Sequence, residues 1–330
     1  MADKRLRILI VKLGAMGDVL RTTPILTALK AQNPQARIDW LVDKSCREVL
    51  EGNPLIDRLF DRFDSLKNNA YDLAMNFDKE DEALDALMKV SAVRKAGFGR
   101  SADGKLCPMD ERSVYAYRLG IDDDLKFRQN KKSYQEITFE QAGLTFRGEE
   151  YIFTPDPKTP PLPGLTGPIV GLNTGSGRRF AGKKMPLAAY AELSRRLVSD
   201  LKATVLLLGG RDEIERNRQI RRLCEVPVVE TGSYPIKQFS ALVKACDVVV
   251  SGDTVAMHMA IAVRVPVVAF FASTCAAEIE LYGRGRKIIS TISCAPCYLR
   301  DCPIDEQCMK DMSVETIVDA VRETLEKVSR

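Results

Sequence analysis

Near its middle the chain carries five prolines in eleven residues: Thr154-Pro155-Asp156-Pro157-Lys158-Thr159-Pro160-Pro161-Leu162-Pro163-Gly164. Proline lacks an amide hydrogen and has a fixed φ, so neither a helix nor a central strand runs through this stretch. It reads as a stiff extended linker. It divides the 330 residues into two parts of ordinary domain size, 1–155 and 156–330. On both sides short apolar runs alternate with helical patterns, which predicts βαβ units and two parallel, Rossmann-like sheets.

In the first part the pattern predicts strands over 7–13, 37–42, 58–60 and 71–76, and helices over 20–32, 45–50, 83–90 and 134–142. Residues 100–150 are irregular and charged, with no strand expected there and a loop at Asn130-Lys131-Lys132-Ser133. The second part predicts strands over 168–172, 204–208, 228–230, 247–251 and 265–271. Its helices are expected over 187–199, 213–223, 236–244 and 254–263. The chain closes with Val314, Ile317, Val318, Val321, Leu325 and Val328 at helical spacing, behind Ser313 as N-cap. Two open α/β sheets imply a cleft, with ligands outside the carboxyl ends of the strands.

Composition narrows the class. The 49 basic and 45 acidic residues leave a net charge of only +4, too balanced to argue for nucleic acid as a partner. No run reaches the ~18 apolar residues of a membrane span. The basic start Met1–Arg7 is followed only by Ile8-Leu9-Ile10-Val11 before Lys12, too short for the apolar core of a signal peptide. A buried first strand and a cytoplasmic protein are expected, able to touch a membrane from its periphery. Nine cysteines in such a chain argue for thiols or metal ligands over disulfides.

Four loops carry chemistry. The first strand runs into Gly14-Ala15-Met16-Gly17-Asp18. Gly17 allows close backbone approach, and Asp18 either takes a proton from a substrate hydroxyl or caps the next helix. In the second part, Asn173-Thr174-Gly175-Ser176-Gly177 and the following Lys183-Lys184-Met185-Pro186 suit phosphate oxygens, or form a solvated loop. Glu213, or Asp212 beside it, follows a strand and a Gly-Gly turn, where an acid takes a ribose hydroxyl or faces a helix N-terminus. The strongest signal is Ser251-Gly252-Asp253-Thr254-Val255-Ala256-Met257-His258 after a Val-Val-Val strand. A helix starting there offers the N–H groups of Thr254, Val255 and Ala256 to a pyrophosphate, and Asp253 reads equally as an N-cap. His258, the one histidine, is expected packed near this site without a proton-transfer role. Cys294, Cys297, Cys302 and Cys308 lie within fifteen residues. They can reach one tetrahedral zinc or iron ion, necessarily structural with four protein ligands, or remain reduced thiols in a turn-rich loop.

Lys12-Leu13-Gly14-Ala15-Met16-Gly17-Asp18-Val19 with Thr23-Pro24-Ile25-Leu26 resembles the N-terminal signature of glycosyltransferase family 9, the ADP-heptose–lipopolysaccharide heptosyltransferases. The Lys183 loop, the Asp253-Thr254 loop and the cysteine segment follow in family order. The resemblance implies an α/β chain of GT-B type, two Rossmann-like domains facing each other across a cleft. The acceptor would lie on the first domain and the nucleotide sugar on the second, with the last helix able to pack back on the first. It implies Asp18 as general base, Lys183 on the donor diphosphate, the backbone after Asp253 on the phosphates, and an acid near 213 on the ribose. The reaction implied is inverting and needs no metal: heptose moves from ADP-heptose to an anionic inner-core glycolipid. Arg21 is the expected acceptor contact, while Arg94, Lys95 and Arg100 read as a solvated face. Met185 stands where the family has Trp, and Val255 and Arg264 where it has Gly. These departures leave two other readings: a transferase of the same fold with another sugar nucleotide or a protein acceptor, and a non-catalytic nucleotide-sugar or metal binder.

Overall fold

The computed structural model describes residues 5–66, 68–156, 162, 165–177, 180 and 182–328. Most of the proline-rich linker and the basic start at 1–4 lie outside these. The chain forms two compact units, Met1–Thr154 with Ala277–Glu280, and Pro155–Ala276 with Leu281–Arg330.

The first unit contains β1 (Arg7–Val11), α1 (Met16–Thr22), α2 (Pro24–Gln32), β2 (Arg37–Leu41), β3 (Arg58–Phe60), β4 (Ala70–Asn76), α3 (Asp81–Lys89), β5 (Ser91–Arg100), β6 (Leu106–Pro108), α4 (Val114–Arg118) and α5 (Tyr134–Ala142). Its sheet order is β3-β2-β1-β4-β5-β6, parallel except for β6, which runs antiparallel to β5. Ile8 to Val11 are fully buried, as a central parallel strand covered on both faces requires.

The second unit contains β7 (Ile169–Asn173), α6 (Leu187–Leu201), β8 (Thr204–Leu208), α7 (Ile214–Cys224), β9 (Val229–Glu230), α8 (Ile236–Lys244), β10 (Val248–Gly252), α9 (Val255–Ala262), β11 (Val267–Phe271), β12 (Gly285–Ile289), α10 (Gln307–Lys310) and α11 (Val314–Val328). The order β12-β11-β10-β7-β8-β9 is the first unit's order once each unit's strands are counted from its own first. All its pairings are parallel. Both sheets are therefore doubly wound, and the strand order reverses between β1 and β4 and between β7 and β10. Ligands of such sheets sit at these reversals.

The structure corrects several expectations. The helix over 20–32 is two helices. Pro24 has no N–H to continue the first, and the Thr23 hydroxyl turns back to the Leu20 carbonyl at 2.7 Å. Residues 45–50 form a 3-10 turn, Lys44–Val49. Strand β5 was hidden because Arg94, Lys95, Gly97 and Gly99 break its apolar run, yet Ala96 to Gly99 are buried. Strand β12 was hidden by Arg286 and Lys287, which face out as charges on an edge strand do. The closing helix α11 is capped as expected, with the Thr316 N–H donating to the Ser313 hydroxyl at 3.2 Å. It lies on its own unit, against α6 and β10–β12. There Ile317, Val318 and Val321 bury completely against the core.

Candidate active site

At the first unit's reversal, β1 and β4 end side by side, with Val11 opposite Asn76. Asp78 lies two residues past β4, fixed because its own N–H donates to Asn76 Oδ1 while Asn76 Nδ2 donates to the Asp78 carbonyl, both at 2.9 Å. One oxygen of Asp78 accepts from the N–H of Leu13 (3.0 Å) and Gly14 (3.4 Å) and pairs with Lys12 Nζ at 3.1 Å. Lys12 also donates to the Gly14 carbonyl at 2.6 Å. Burial pulls the Lys12 ammonium down, but Tyr134, Asp18 and Asp78 outweigh it and hold its pKa above the ordinary lysine value. A buried ion pair thus locks the loop between β1 and α1 in place.

Asp18 is the third residue of α1. The N-cap is Ala15, so the capping alternative for Asp18 falls away. Its carboxylate meets the Arg21 guanidinium at 2.7 Å, one turn along, and keeps 28 % of its side chain exposed. Arg21 is itself held: its guanidinium stacks 3.8 Å from the centre of the Tyr134 ring, with Glu278 also 3.8 Å away. The Tyr134 hydroxyl shares a 2.9 Å hydrogen bond with Thr22. A carboxylate that is ionised, oriented and reachable is what a general base needs. Gly17 is buried in α1. Arg100 is tied to Asp81 and Asp85 at 2.7 and 2.6 Å, a structural ion pair on the α3–β5 face.

The second unit's reversal carries mostly neutral groups. Asn173, the last residue of β7, donates through Nδ2 to the Gly175 carbonyl (2.8 Å) and to the hydroxyls of Ser251 and Thr254 (both 3.2 Å). Those two hydroxyls are 3.0 Å apart. The Thr174 hydroxyl donates to buried Asn217 at 2.5 Å, so this loop presents backbone there and not the hydroxyl expected of Thr174. Ser176 donates within its own loop, to the Gly177 carbonyl at 3.3 Å. Arg216 ties the loop down from α7, donating to the carbonyls of Thr174 (3.0 Å) and Met185 (2.5 Å).

Helix α9 begins after Thr254 with no side chain capping it. Asp253 is therefore not the N-cap. Its carboxylate pairs with Lys183 Nζ at 3.3 Å and stands 3.7 Å from buried His258 Nε2. Val255 is ordinary right-handed helix and costs nothing where the family has glycine. Arg264 does adopt the left-handed conformation, φ 62°, at an exposed turn. Gly252 permits the central contact: a Cβ there would stand 2.2 Å from the Lys183 carbonyl oxygen. The bare glycine lets the Lys183 strand of chain lie against the end of β10. An uncapped helix N-terminus with an ammonium beside it is an anion site. Glu213 accepts from the Gly210 N–H at 2.9 Å, satisfying the turn before α7, and Asp212 points to solvent.

All nine cysteines are free thiols. Burial pushes the Cys308 thiol up to about 11, and Cys302, Cys294 and Cys297 add to the shift, so the four are neighbours. Among the described residues, however, no group of three or more His, Cys, Asp or Glu side chains is placed to hold a metal ion.

The sequence had marked Asp18, Lys183, Asp253, Thr254, Val255 and His258, and the structure brings the last five to one corner of the second unit. It had missed Lys12, Asp78, Tyr134 and Arg216 as parts of the site. Asp78 was legible as an acid just past a predicted strand, whereas Tyr134 and Arg216 sit on helices remote in sequence and left no local signal.

Residues 62–307 match the profile of Glycosyltransferase family 9 (heptosyltransferase). The chain is 26 % identical over 323 residues to lipopolysaccharide heptosyltransferase 1 of Pseudomonas aeruginosa, covering 90 % of this chain and 87 % of that one. Its fold is similar to the crystal structure of the glycosyl transferase family 9 from Veillonella parvula, with TM-score 0.71 and 18 % identity over 98 % of both chains. It is also similar to Escherichia coli ADP-heptose lps heptosyltransferase II, with TM-score 0.68 and 16 % identity over 98 % of this chain and 100 % of that one. The family match spans well over half of the sequence, and the two doubly wound sheets have the GT-B architecture. The chain belongs to glycosyltransferase family 9, the heptosyltransferase family.

Proposed function

We propose that this glycosyltransferase moves a heptose from ADP-heptose to an anionic inner-core lipopolysaccharide acceptor by a metal-independent, inverting displacement. The observation that carries the reading is the corner at Asp253 and Thr254. An uncapped α9 N-terminus and the Lys183 ammonium meet at the second sheet's reversal, where doubly wound folds take a diphosphate. The names of the relatives above support heptose as the sugar and lipopolysaccharide as the acceptor.

In this mechanism Asp18 accepts the proton of the acceptor hydroxyl. The hydroxyl oxygen bonds to the anomeric carbon as the carbon–oxygen bond to the diphosphate breaks, and ADP leaves with the electron pair. A single displacement inverts the anomeric centre. Lys183 and the first N–H groups of α9 hold the charge that develops on the leaving phosphate. Arg21 orients the Asp18 carboxylate at 2.7 Å, and the Lys12–Asp78 pair fixes the loop that leads into α1. Glu213 remains the candidate for a ribose hydroxyl, reached by the carboxylate oxygen not bound to Gly210. The four cysteines have no part in this chemistry, and a structural ion on them would require the thiols to draw together. No helix among the described residues is long and apolar enough to cross a membrane. We place the enzyme in the cytoplasm, meeting its glycolipid acceptor at the periphery of the inner membrane.

The test is turnover with ADP-heptose, UDP-glucose and GDP-mannose on a deacylated inner-core acceptor in the presence of EDTA, with the product's anomeric configuration read by NMR. Inverted heptosyl product from ADP-heptose alone is expected. Preference for another donor would keep the enzyme class and discard heptose, and loss of activity in EDTA would discard metal independence.

A further inference from the structure

The cysteine-rich segment meets the chain just ahead of Lys183, at Gly182 and at Phe180. Ser273, two residues past the end of β11, is the meeting point. Its carbonyl accepts from the N–H groups of Cys297 (3.3 Å) and Tyr298 (2.8 Å), and its hydroxyl donates to the Gly182 carbonyl at 3.4 Å. Gly182 has φ +63°, and a Cβ on it would stand 3.2 Å from Cys308 Sγ and 3.5 Å from Ser273 Cβ. Cys308 is itself buried in the core with Met309 and Met312. Three residues ahead of Lys183, the Tyr298 ring packs edge-on against Phe180, centroids 5.4 Å apart, while its hydroxyl accepts from the Cys275 N–H at 3.0 Å. The Phe180 ring stands 5.7 Å from Lys183 Nζ.

Residues 180 and 182, both just ahead of Lys183, are thus buttressed by this segment, and the Lys183 carbonyl is pressed against Gly252. We propose that the segment from Cys294 to Cys308 is a brace that sets the position of Lys183, with Tyr298 and Ser273 as positioning residues for the donor diphosphate. The inference rests on the role given to Lys183 under Proposed function. Its physical reason is that a lysine ammonium on a flexible four-carbon stem is placed only as well as its own Cα. Interactions one step removed from a ligand hold their partners in productive geometry. Freed from the brace, Gly182 and Lys183 sample other positions, and the ammonium reaches the diphosphate in only a fraction of them.

The experiment uses the full chain with ADP as probe, by calorimetric titration, on wild type, Lys183→Ala, Tyr298→Ala, Tyr298→Phe and the double variant Lys183→Ala/Tyr298→Ala. Thermal unfolding confirms that each is folded. Tyr298→Ala is expected to weaken ADP about tenfold and to lower kcat/KM for the donor by at least as much, because Lys183 also holds the charge that develops on the leaving phosphate. Tyr298→Phe keeps the ring against Phe180 and should stay within about twofold of wild type. In the Lys183→Ala background Tyr298→Ala should cost nothing further, because the group it positions is gone. Wild-type affinity in Tyr298→Ala, or an equal further loss in the double variant, would overturn the brace while leaving Lys183 as the diphosphate ligand. Wild-type affinity in Lys183→Ala would instead overturn the donor reading, and the brace with it.

Discussion

The two units share one strand order and put different chemistry at the same place in it. Where β1 and β4 end, the first unit gathers charges in tight pairs: Lys12 with Asp78, and Asp18 with Arg21. Where β7 and β10 end, the second unit gathers an amide and hydroxyls, Asn173, Ser251 and Thr254, with a helix N-terminus and one ammonium. The difference teaches that topology fixes where a site lies, not what it does. Proton transfer needs a carboxylate whose charge and direction are held by fixed partners. A diphosphate needs close backbone approach and donors free of competing side-chain caps.

Asp18→Asn breaks the comparison on its charged side. It keeps shape and hydrogen bonding but cannot take a proton, so turnover should fall by about 10³-fold. Initial rates with saturating donor check this, and a near wild-type rate would remove Asp18 as the base. The next effect is on stability. Asp78→Ala strands the buried Lys12 ammonium and should cost about 3–5 kcal/mol by denaturant unfolding, because removing one partner leaves an uncompensated buried charge. The pH dependence has a definite sign. The folded-state pKa of Lys12 is raised, so its contribution is complete below the unfolded lysine value and is lost only as pH rises through the folded one. Wild-type stability should therefore show no Lys12-linked change through the neutral range and a loss only above roughly pH 10.4. A wild-type stability that instead rises as pH climbs from about 8 towards 10 would show that Lys12 is not held as a cation.

Gly252→Ala probes the neutral side. The added Cβ meets the Lys183 carbonyl, and the overpacking should cost about 1–3 kcal/mol together with a loss of ADP affinity seen by titration. Full affinity would mean that the close approach is not what seats Lys183. The smallest effect belongs to Arg264→Gly. A left-handed arginine at φ 62° is strained, and glycine should raise stability by about 0.5–1 kcal/mol without changing turnover. A destabilised variant would point to contacts of the Arg264 side chain that outweigh the strain.

Much of this was legible in the chain. The proline run and the βα alternation gave two doubly wound sheets, and the loops after β1, β7 and β10 were named before any coordinates. Apolar periodicity failed where charges sit inside a strand, as Arg94 and Lys95 do in β5 and Arg286 and Lys287 in β12. It failed at Thr23, where one proline splits a helix. The partners of the site were harder to read. Asp78 acts on Gly14 from 64 residues away, Tyr134 on Thr22 from 112 and Arg216 on Thr174 from 42, and nothing local marks such pairs. Asp253 and Glu213 show the opposite difficulty. The sequence marks both acids, but only the fold shows that one pairs with Lys183 and stands near His258 while the other accepts from a turn.

The division of labour between the units is tested most directly by titrating ADP into Asp18→Asn and Lys183→Ala side by side. The account predicts that Asp18→Asn binds ADP as the wild type does, while Lys183→Ala loses about tenfold or more through the missing charge-assisted contact. Equal loss in both variants, or loss in Asp18→Asn alone, would contradict it.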